Sequence, residues 1–193
     1  EQKALLLQMN PHFIFNALQS INGYIAQNDT AEARRYLAKF SKLMRLTLEN
    51  SRQPFVSIKE EVDLLYHYTA LEAIGMSHRF TTNIEVDEHI REDATYIPGM
   101  LIQPFVENAI IHGLIHKLNG TGLLTIRFNL DHERTFPVIV VTVEDNGVGR
   151  AQAAKYSEGI RKEHRSAAVE ITSERLQRMN EAGKANSTLT ITD

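Results

Sequence analysis

The sequence predicts an α+β protein in two parts: a helical hairpin over residues 1–55, then an α+β layer domain over residues 56–193. Three observations carry that expectation. Apolar residues recur at helical spacing through the first fifty positions, β-branched runs near 80, 125 and 140 have the pattern of strands, and Ser51 and Pro54 interrupt the chain between the two regimes.

Composition narrows the class further. A chain of 193 residues can bury a core as one domain or two small ones, and 42% hydrophobic with 23% charged residues is ordinary for a globular protein. A net charge of −3 gives no electrostatic case for nucleic acid or an anionic membrane as direct partner. The absence of cysteine removes disulfides and thiolate metal sites and fits a reducing compartment. No apolar run approaches the roughly 20 residues that span a bilayer, and no signal peptide is recognisable. The chain opens on Glu1 in helical sequence and is expected to be an excised fragment, attached to a membrane only through a missing N-terminal region.

Residues 1–27 read as helix, with Leu5, Met9, Ile14, Leu18, Ile21 and Ile25 as its apolar face. Gln8, His12, Asn16 and Gln19 make a polar stripe, and Pro11 is expected to kink the helix or begin a new one. Asp29 and Glu32 are spaced as a capping box for a second helix to about Asn50, with Tyr36, Leu37, Phe40, Leu43, Met44 and Leu48 on its buried side. Such a hairpin cannot hide two apolar faces alone, so a homodimer closing a four-helix bundle is expected. Residues 51–56 read as a linker. Ser57 and Glu60 form a second capping box for a helix to about Ile74 with Val62, Leu65, Tyr68 or Thr69, and Leu71 or Glu72 as its repeat, and Gly75 ends it. Strands are expected at 80–86, 123–130 and 138–144, the last two antiparallel neighbours, and helices at 100–112 and 167–179. Residues 151–165 read as a polar loop, and 188–192 as the start of a strand.

Two motifs in the second part carry chemistry. D-x-G-x-G at Asp145, Gly147 and Gly149 follows a strand: its glycines let backbone approach a planar ligand, and its carboxylate can accept a hydrogen bond from an exocyclic amine such as that of adenine. The same residues also make an ordinary turn. In the apolar stretch 101–113, Glu107, Asn108 and His112 are polar, with Asn108 and His112 expected one turn apart on one side. An amide oxygen suits Mg²⁺ and a histidine can donate to phosphate, although solvent-facing residues of an amphipathic helix would look alike. Zinc at His112 and His116 is disfavoured, because the acid of H-E-x-x-H is missing and Gly113 interrupts the helix.

A helical asparagine, a strand and then D-x-G-x-G, in this order and at this separation, resemble the N box and first glycine box of the GHKL ATP-binding fold, shared by histidine kinases, gyrase and some chaperones. Q-M-N-P-H-F-I-F-N at 8–16 is similar to the phosphoacceptor box of the LytS-like sensor histidine kinases, which precedes V-E-N-A-x-x-H-G as at 106–113 here; I-T-S-E-R-L at 171–176 extends the likeness. The resemblance implies a GHKL-type α/β sandwich as the second domain, its last strand absent. It implies that ATP phosphorylates His12 and that the phosphoryl group passes to a receiver-domain aspartate of a response regulator. Asn108 would hold Mg²⁺, His112 would lie near the phosphates, Asp145 would read adenine, Gly147 and Gly149 would lie beneath the nucleotide, Lys162 and Ser166 would bind it, and 151–165 would be the lid. The parent protein would be a membrane sensor with this chain as its cytoplasmic part.

A neutral imidazole is a competent nucleophile at pH 7, and Mg²⁺ with the lid charges of Arg161, Lys162, His164 and Arg165 would neutralise the phosphates. Where many histidine kinases carry an acid after the histidine this chain has Phe13, which leaves Asn16 as the orienting candidate. Ile111 stands where relatives usually have Lys, Ala168 replaces a glycine of the second glycine box, and Gly75 falls where relatives tend to have Arg. These departures, with the expected truncation, motivate an alternative: a degenerate kinase serving as a dimeric signalling scaffold with weak or no ATP binding. An ATPase doing mechanical work would leave the N-P-H-F box unexplained.

Overall fold

The computed structural model of the chain describes residues 11–117, 119–132, 137–149, 162–181 and 188–190, and at 11, 12 and 162–171 the backbone alone. Its elements run α1 (Pro11–Ala26), α2 (Thr30–Ser51), β1 (Phe55–Ser57), α3 (Ile58–Gly75), β2 (Phe80–Val86) and β3 (Tyr96–Pro98). They continue with α4 (Gln103–Asn108), which passes directly into a π-helical segment (Ala109–Leu114), then β4 (Gly122–Asp131), β5 (Val138–Asp145) and α5 (Lys162–Glu181). The expected α+β class is observed.

The hairpin forms where caps and turns permit it. Asn28 takes a left-handed φ of 58°, and the Asp29 carboxylate accepts the Glu32 N–H at 3.1 Å. Only that half of the expected capping box is made. On α1 the buried residues are Phe13 and Ala17, whereas Leu18 and Ile25 are exposed, contrary to the single apolar face expected. On α2 Tyr36 and Leu43 are buried, Phe40 and Met44 are half-buried, and Leu37 and Leu48 face outward. Both helices therefore carry two apolar faces, and only one of each is used inside this chain. The kink expected at Pro11 involves residues 1–10, outside the described residues.

The inner faces pack on α3, which is enclosed on most sides. Leu64, Leu65, Tyr68 and Leu71 are fully buried, and the Phe13 ring lies 5.2 Å from that of Tyr68 and 6.1 Å from that of Phe40. The start of α3 is held by a complete capping box: Ser57 Oγ accepts the Glu60 N–H at 3.2 Å, and the Glu60 carboxylate accepts the Ser57 N–H at 2.7 Å. The region expected to be a linker is instead the end of α2 and a strand. β1 pairs antiparallel with β3, Val56 opposite Ile97, so 55–57 tie the hairpin's exit to the chain ahead of α4.

The main sheet has the order β2–β4–β5. β2 is parallel to β4 (Ile84 opposite Ile126), and β4 is antiparallel to β5 (Phe128 opposite Val141), as expected for the latter pair. Period-2 alternation sends Leu124, Ile126 and Phe128 into the core with Phe80, Ile139, Val141 and Val143. On the outer face Arg127 bridges Glu85 on one neighbouring strand and Glu144 on the other. α5 is longer at both ends than expected, and residues 188–190 form no strand; 191–193 lie outside the described residues.

One carboxylate sits where no sequence pattern places it. Glu61 of α3 is 0% exposed, and its Oε2 accepts the N–H of Met100 at 3.4 Å. Met100 has φ 61°, a strained conformation for a non-glycine residue that its surroundings must hold. The N-cap of α4 is Ile102, which offers no side-chain cap, and the N–H groups of Met100 and Ile102 are both directed at Glu61. Glu61 thus caps α4 from another helix, at the end where negative charge is favoured. This also explains why α4 begins at Gln103 and not at 100.

Burial raises the Glu61 carboxyl from its ordinary 4.5 to about 7, against the lowering by those two N–H groups and by Arg175. Between about pH 4.5 and 7 the folded protein therefore holds a proton that the unfolded chain releases. Stability falls as pH rises through that window, by on the order of 3 kcal/mol, and is level above it. Glu61→Gln, which keeps an acceptor for Met100, should flatten this loss in urea unfolding at pH 5 and pH 8. Parallel pH profiles for variant and parent would contradict the assignment.

Candidate functional site

The site is built where the α4 helix changes its winding. Bonding from i to i+5 runs through Ala109–Leu114, with the Ile115 N–H donating to Ile110 O at 3.0 Å. Such wide turns recur at functional sites. With turns of between four and five residues, His112 and Gly113 both lie about one turn beyond Asn108. Asn108 and His112 are both half-buried.

Gly113 is the meeting point with the turn after β5. A Cβ on Gly147 would lie 2.5 Å from the Cα and O of Gly113, and a Cβ on Gly113 would lie 2.9 Å from Asp145 Cγ. Gly147 faces backbone and admits no side chain, whereas a methyl at Gly113 would displace the Asp145 carboxylate. The Val148 N–H donates to Gly113 O at 3.3 Å, and Asp145 Oδ1 accepts the Gly147 N–H at 2.8 Å. Gly149 has φ 73°, in the region that favours glycine. Asn146 fastens the turn to β4: its Oδ1 accepts the Leu123 N–H at 2.8 Å, its own N–H donates to Leu123 O at 3.1 Å, and Lys117 Nζ donates to its carbonyl at 2.6 Å. Asp145 is left exposed at the strand end. The structure thus brings Asp145, Gly147, Gly113 and, one turn away, Asn108 into one neighbourhood.

Behind Asn108 lies a pair of half-buried acids. Glu107 accepts a hydrogen bond from Gln103 Nε2 at 3.0 Å, and burial first and the Glu72 charge second push its carboxyl up to about 7, with the Gln103 bond opposing. Glu72 is raised by burial and lowered by the Tyr68 hydroxyl, which donates to it at 3.2 Å. The Tyr68 hydroxyl is itself raised well above its ordinary value, mainly by burial. Since Phe13 packs on Tyr68, contacts run from the residue beside position 12 to the residue beside Asn108.

Among the described residues no group of three or more His, Cys, Asp or Glu could hold a metal as a protein cage. The half-buried Asn108 carries a hard amide oxygen of the kind Mg²⁺ can take beside phosphate and water.

The side chains of His12, Lys162, Ser166 and Ala168, and most of the expected lid at 151–165, lie outside the described residues. The backbone still places position 12. At about 100° per residue it shares a stripe of α1 with Asn16, Gln19 and Gly23, between the buried Phe13–Ala17 face and the exposed apolar face. Asn16 O accepts from Ser20 Oγ at 3.0 Å. Ile111 is half-buried in the π-helical segment. Three contributors escaped the sequence reading. Gly113 was visible as a glycine within an apolar helix, a known sign of close approach. Lys117 and Asn146 act through loop contacts that carry no local signal.

With that geometry in view, comparison with known proteins identifies its kin. A family model described as histidine kinase matches residues 1–80, which covers the hairpin, β1, α3 and the first residue of β2. The chain is 38% identical over 127 residues to the sensor histidine kinase YpdA of Escherichia coli, covering 65% of this chain and 21% of that protein. It is 32% identical over 149 residues to the sensor protein LytS of Staphylococcus haemolyticus and 28% identical over 149 residues to the sensor histidine kinase YesM of Bacillus subtilis. Each of these matches covers 77% of this chain and 24% of the relative. The chain therefore spans about a quarter or less of the length of these relatives. The shared histidine kinase model and these relatives together place the chain in the LytS-like family of sensor histidine kinases.

Proposed function

We propose that this chain is the kinase core of a two-component sensor, in which ATP phosphorylates His12 and the phosphoryl group then passes to an aspartate of a response regulator. The observation that carries the reading is the side-chain-free contact of Gly147 with Gly113, which sets the D-x-G-x-G turn against the helix of Asn108. An exposed carboxylate at a strand end and glycine backbone beside it form a surface for a flat base. Asp145 accepts the exocyclic amine of adenine, Gly147 and Gly149 let the nucleotide approach backbone, and Asn108 offers its amide oxygen to Mg²⁺, with His112, Lys162 and Ser166 toward the phosphates. Bound Mg²⁺ would neutralise phosphate charge. In the transfer, a ring nitrogen of His12 forms the bond to the γ-phosphorus, the bond to the β–γ bridging oxygen breaks, and ADP leaves.

The protein acts as a homodimer in this reading. Leu18, Ile25, Leu37 and Leu48 are exposed on the outer faces of the hairpin, and an open groove of about 510 Å³ runs between Leu37, Phe40, Met44 and Leu48. A second hairpin laid on these faces completes a four-helix bundle. No helix among the described residues is long and apolar enough to cross a membrane, and the chain is read as the cytoplasmic part of a membrane sensor.

Incubated with Mg²⁺ and γ-labelled ATP, the protein should acquire acid-labile label that His12→Gln abolishes. Acid-stable label, or label surviving that substitution, would refute the kinase reading. Gly147→Ala should weaken Mg·ATP binding at least about tenfold in calorimetry, because the added methyl forces the turn off Gly113. Absence of binding in the parent protein would support the scaffold alternative. Leu18→Glu combined with Leu37→Glu should convert dimer to monomer in analytical ultracentrifugation with the far-UV spectrum unchanged. A dimer that survives both charges would place the interface elsewhere.

A further inference from the structure

The junction of α3, α4 and α5 holds two acceptors that lack donors among the described residues. Glu61 Oε1 and Gln103 Oε1 are buried without a hydrogen-bond partner among those residues, with Glu61 0% and Gln103 4% exposed. Both sit at the start of α4: Glu61 caps it through Oε2, and Gln103 is its first residue, with the amide nitrogen already committed to Glu107. Buried acceptors left unpaired are rare in folded proteins, so each calls for a donor. α5 packs against α4, and Arg175 lies on its inner side between the buried Thr172 and Leu176. Glu61 and Arg175 each feel the other's charge, and Arg175 is partly desolvated. A guanidinium carries five N–H donors in a planar fork, enough to serve a carboxylate oxygen and an amide oxygen together.

We propose that Arg175 is a positioning residue for the nucleotide site: its guanidinium closes on the Glu61 carboxylate and the Gln103 amide oxygen, clasping α5 to the start of the helix that presents Asn108. The assignment of Asn108 to the nucleotide site rests on the kinase reading; the clasp does not. The groups facing Glu61 are the N–H groups of Met100 and Ile102 and the Arg175 side chain. The clasp is therefore full when Glu61 is ionised and weakens when it takes a proton. Arg178, one turn further on α5, is exposed and pairs with Glu174, so it does not substitute.

Hydrogen exchange on the full chain without nucleotide tests the clasp itself. Arg175→Met should speed exchange of the Phe105 and Val106 amides, which donate to Ile102 O, by about tenfold at pH 8, and Arg175→Lys should restore part of the protection. Unchanged exchange overturns the proposal whether or not the protein binds nucleotide. Calorimetry with Mg·ATP tests the consequence. Parent affinity should rise with pH through about 7, and both Arg175→Met and Glu61→Gln should lower affinity at pH 8 and flatten that rise. A general packing defect would lower stability without removing the pH dependence, so a variant that keeps the parent's pH profile also overturns it. A parent that binds no Mg·ATP would refute the kinase reading, and exchange alone would then decide the clasp.

Discussion

The backbone contact between Gly113 and Gly147 is the constraint on which the candidate site depends. Two chain segments 34 residues apart in sequence approach so closely that a Cβ on Gly147 would overlap the Gly113 backbone and one on Gly113 would displace the Asp145 carboxylate. The approach needs a glycine at 147, a turn that can bend toward the helix, and a helix whose carbonyl at Gly113 is available to it. The place of Gly113 in the last turn of the helix meets the last need, since its carbonyl has no donor within the helix and accepts the Val148 N–H. Asn146 and Lys117 then fasten the turn from its other side. Removing any one of these would separate Asp145 from the helix of Asn108, so the two motifs function as one structural unit.

That unit is held in turn by α3. Its polar residues are spent on α4: Glu61 caps the first turn, and Glu72 with Tyr68 lies against Glu107. Carboxylates in such surroundings cost stability when ionised, and a core of leucine would be more stable. What the acids supply is placement. A helix that starts on a strained residue, Met100, needs a directional partner, and apolar packing has no direction. The outer side of α3 carries the hairpin, with Phe13 against Tyr68. One helix therefore sets both the acceptor helix and the helix of Asn108, and a rotation of the hairpin on α3 would be felt at both.

The sequence was informative where structure is local. The Ser57–Glu60 capping box, the three strands of the main sheet and the glycine turn all follow from neighbours within a few residues. It was silent where structure depends on distant partners. β1 and β3 have three residues each, too short for alternation to show, and they exist because each finds the other. The π winding of Ala109–Leu114 depends on what packs against Gly113, and the burial of Glu61 on a loop 39 residues away. Helical periodicity selected Ile14, Leu18, Ile21 and Ile25 as the buried face of α1, but Phe13 and Ala17, on a neighbouring face, are the residues buried, whereas Leu18 and Ile25 are exposed.

That division of α1 bears on how position 12 is used. A helix with one apolar face would have to choose between seating on α3 and seating on a second hairpin. α1 has two, and the stripe of position 12, Asn16 and Gln19 runs along one flank between them. Packing on either face leaves that flank uncovered by the other. A residue that must be reached by a nucleotide in one step and by a second protein in the next belongs on such a flank. A histidine on the Phe13 face would be sealed against Tyr68, and one on the Leu18 face would be sealed by a second copy. The two apolar faces can therefore both be buried, one in this chain's core and the other under the second hairpin of the proposed dimer, without either covering the stripe of position 12.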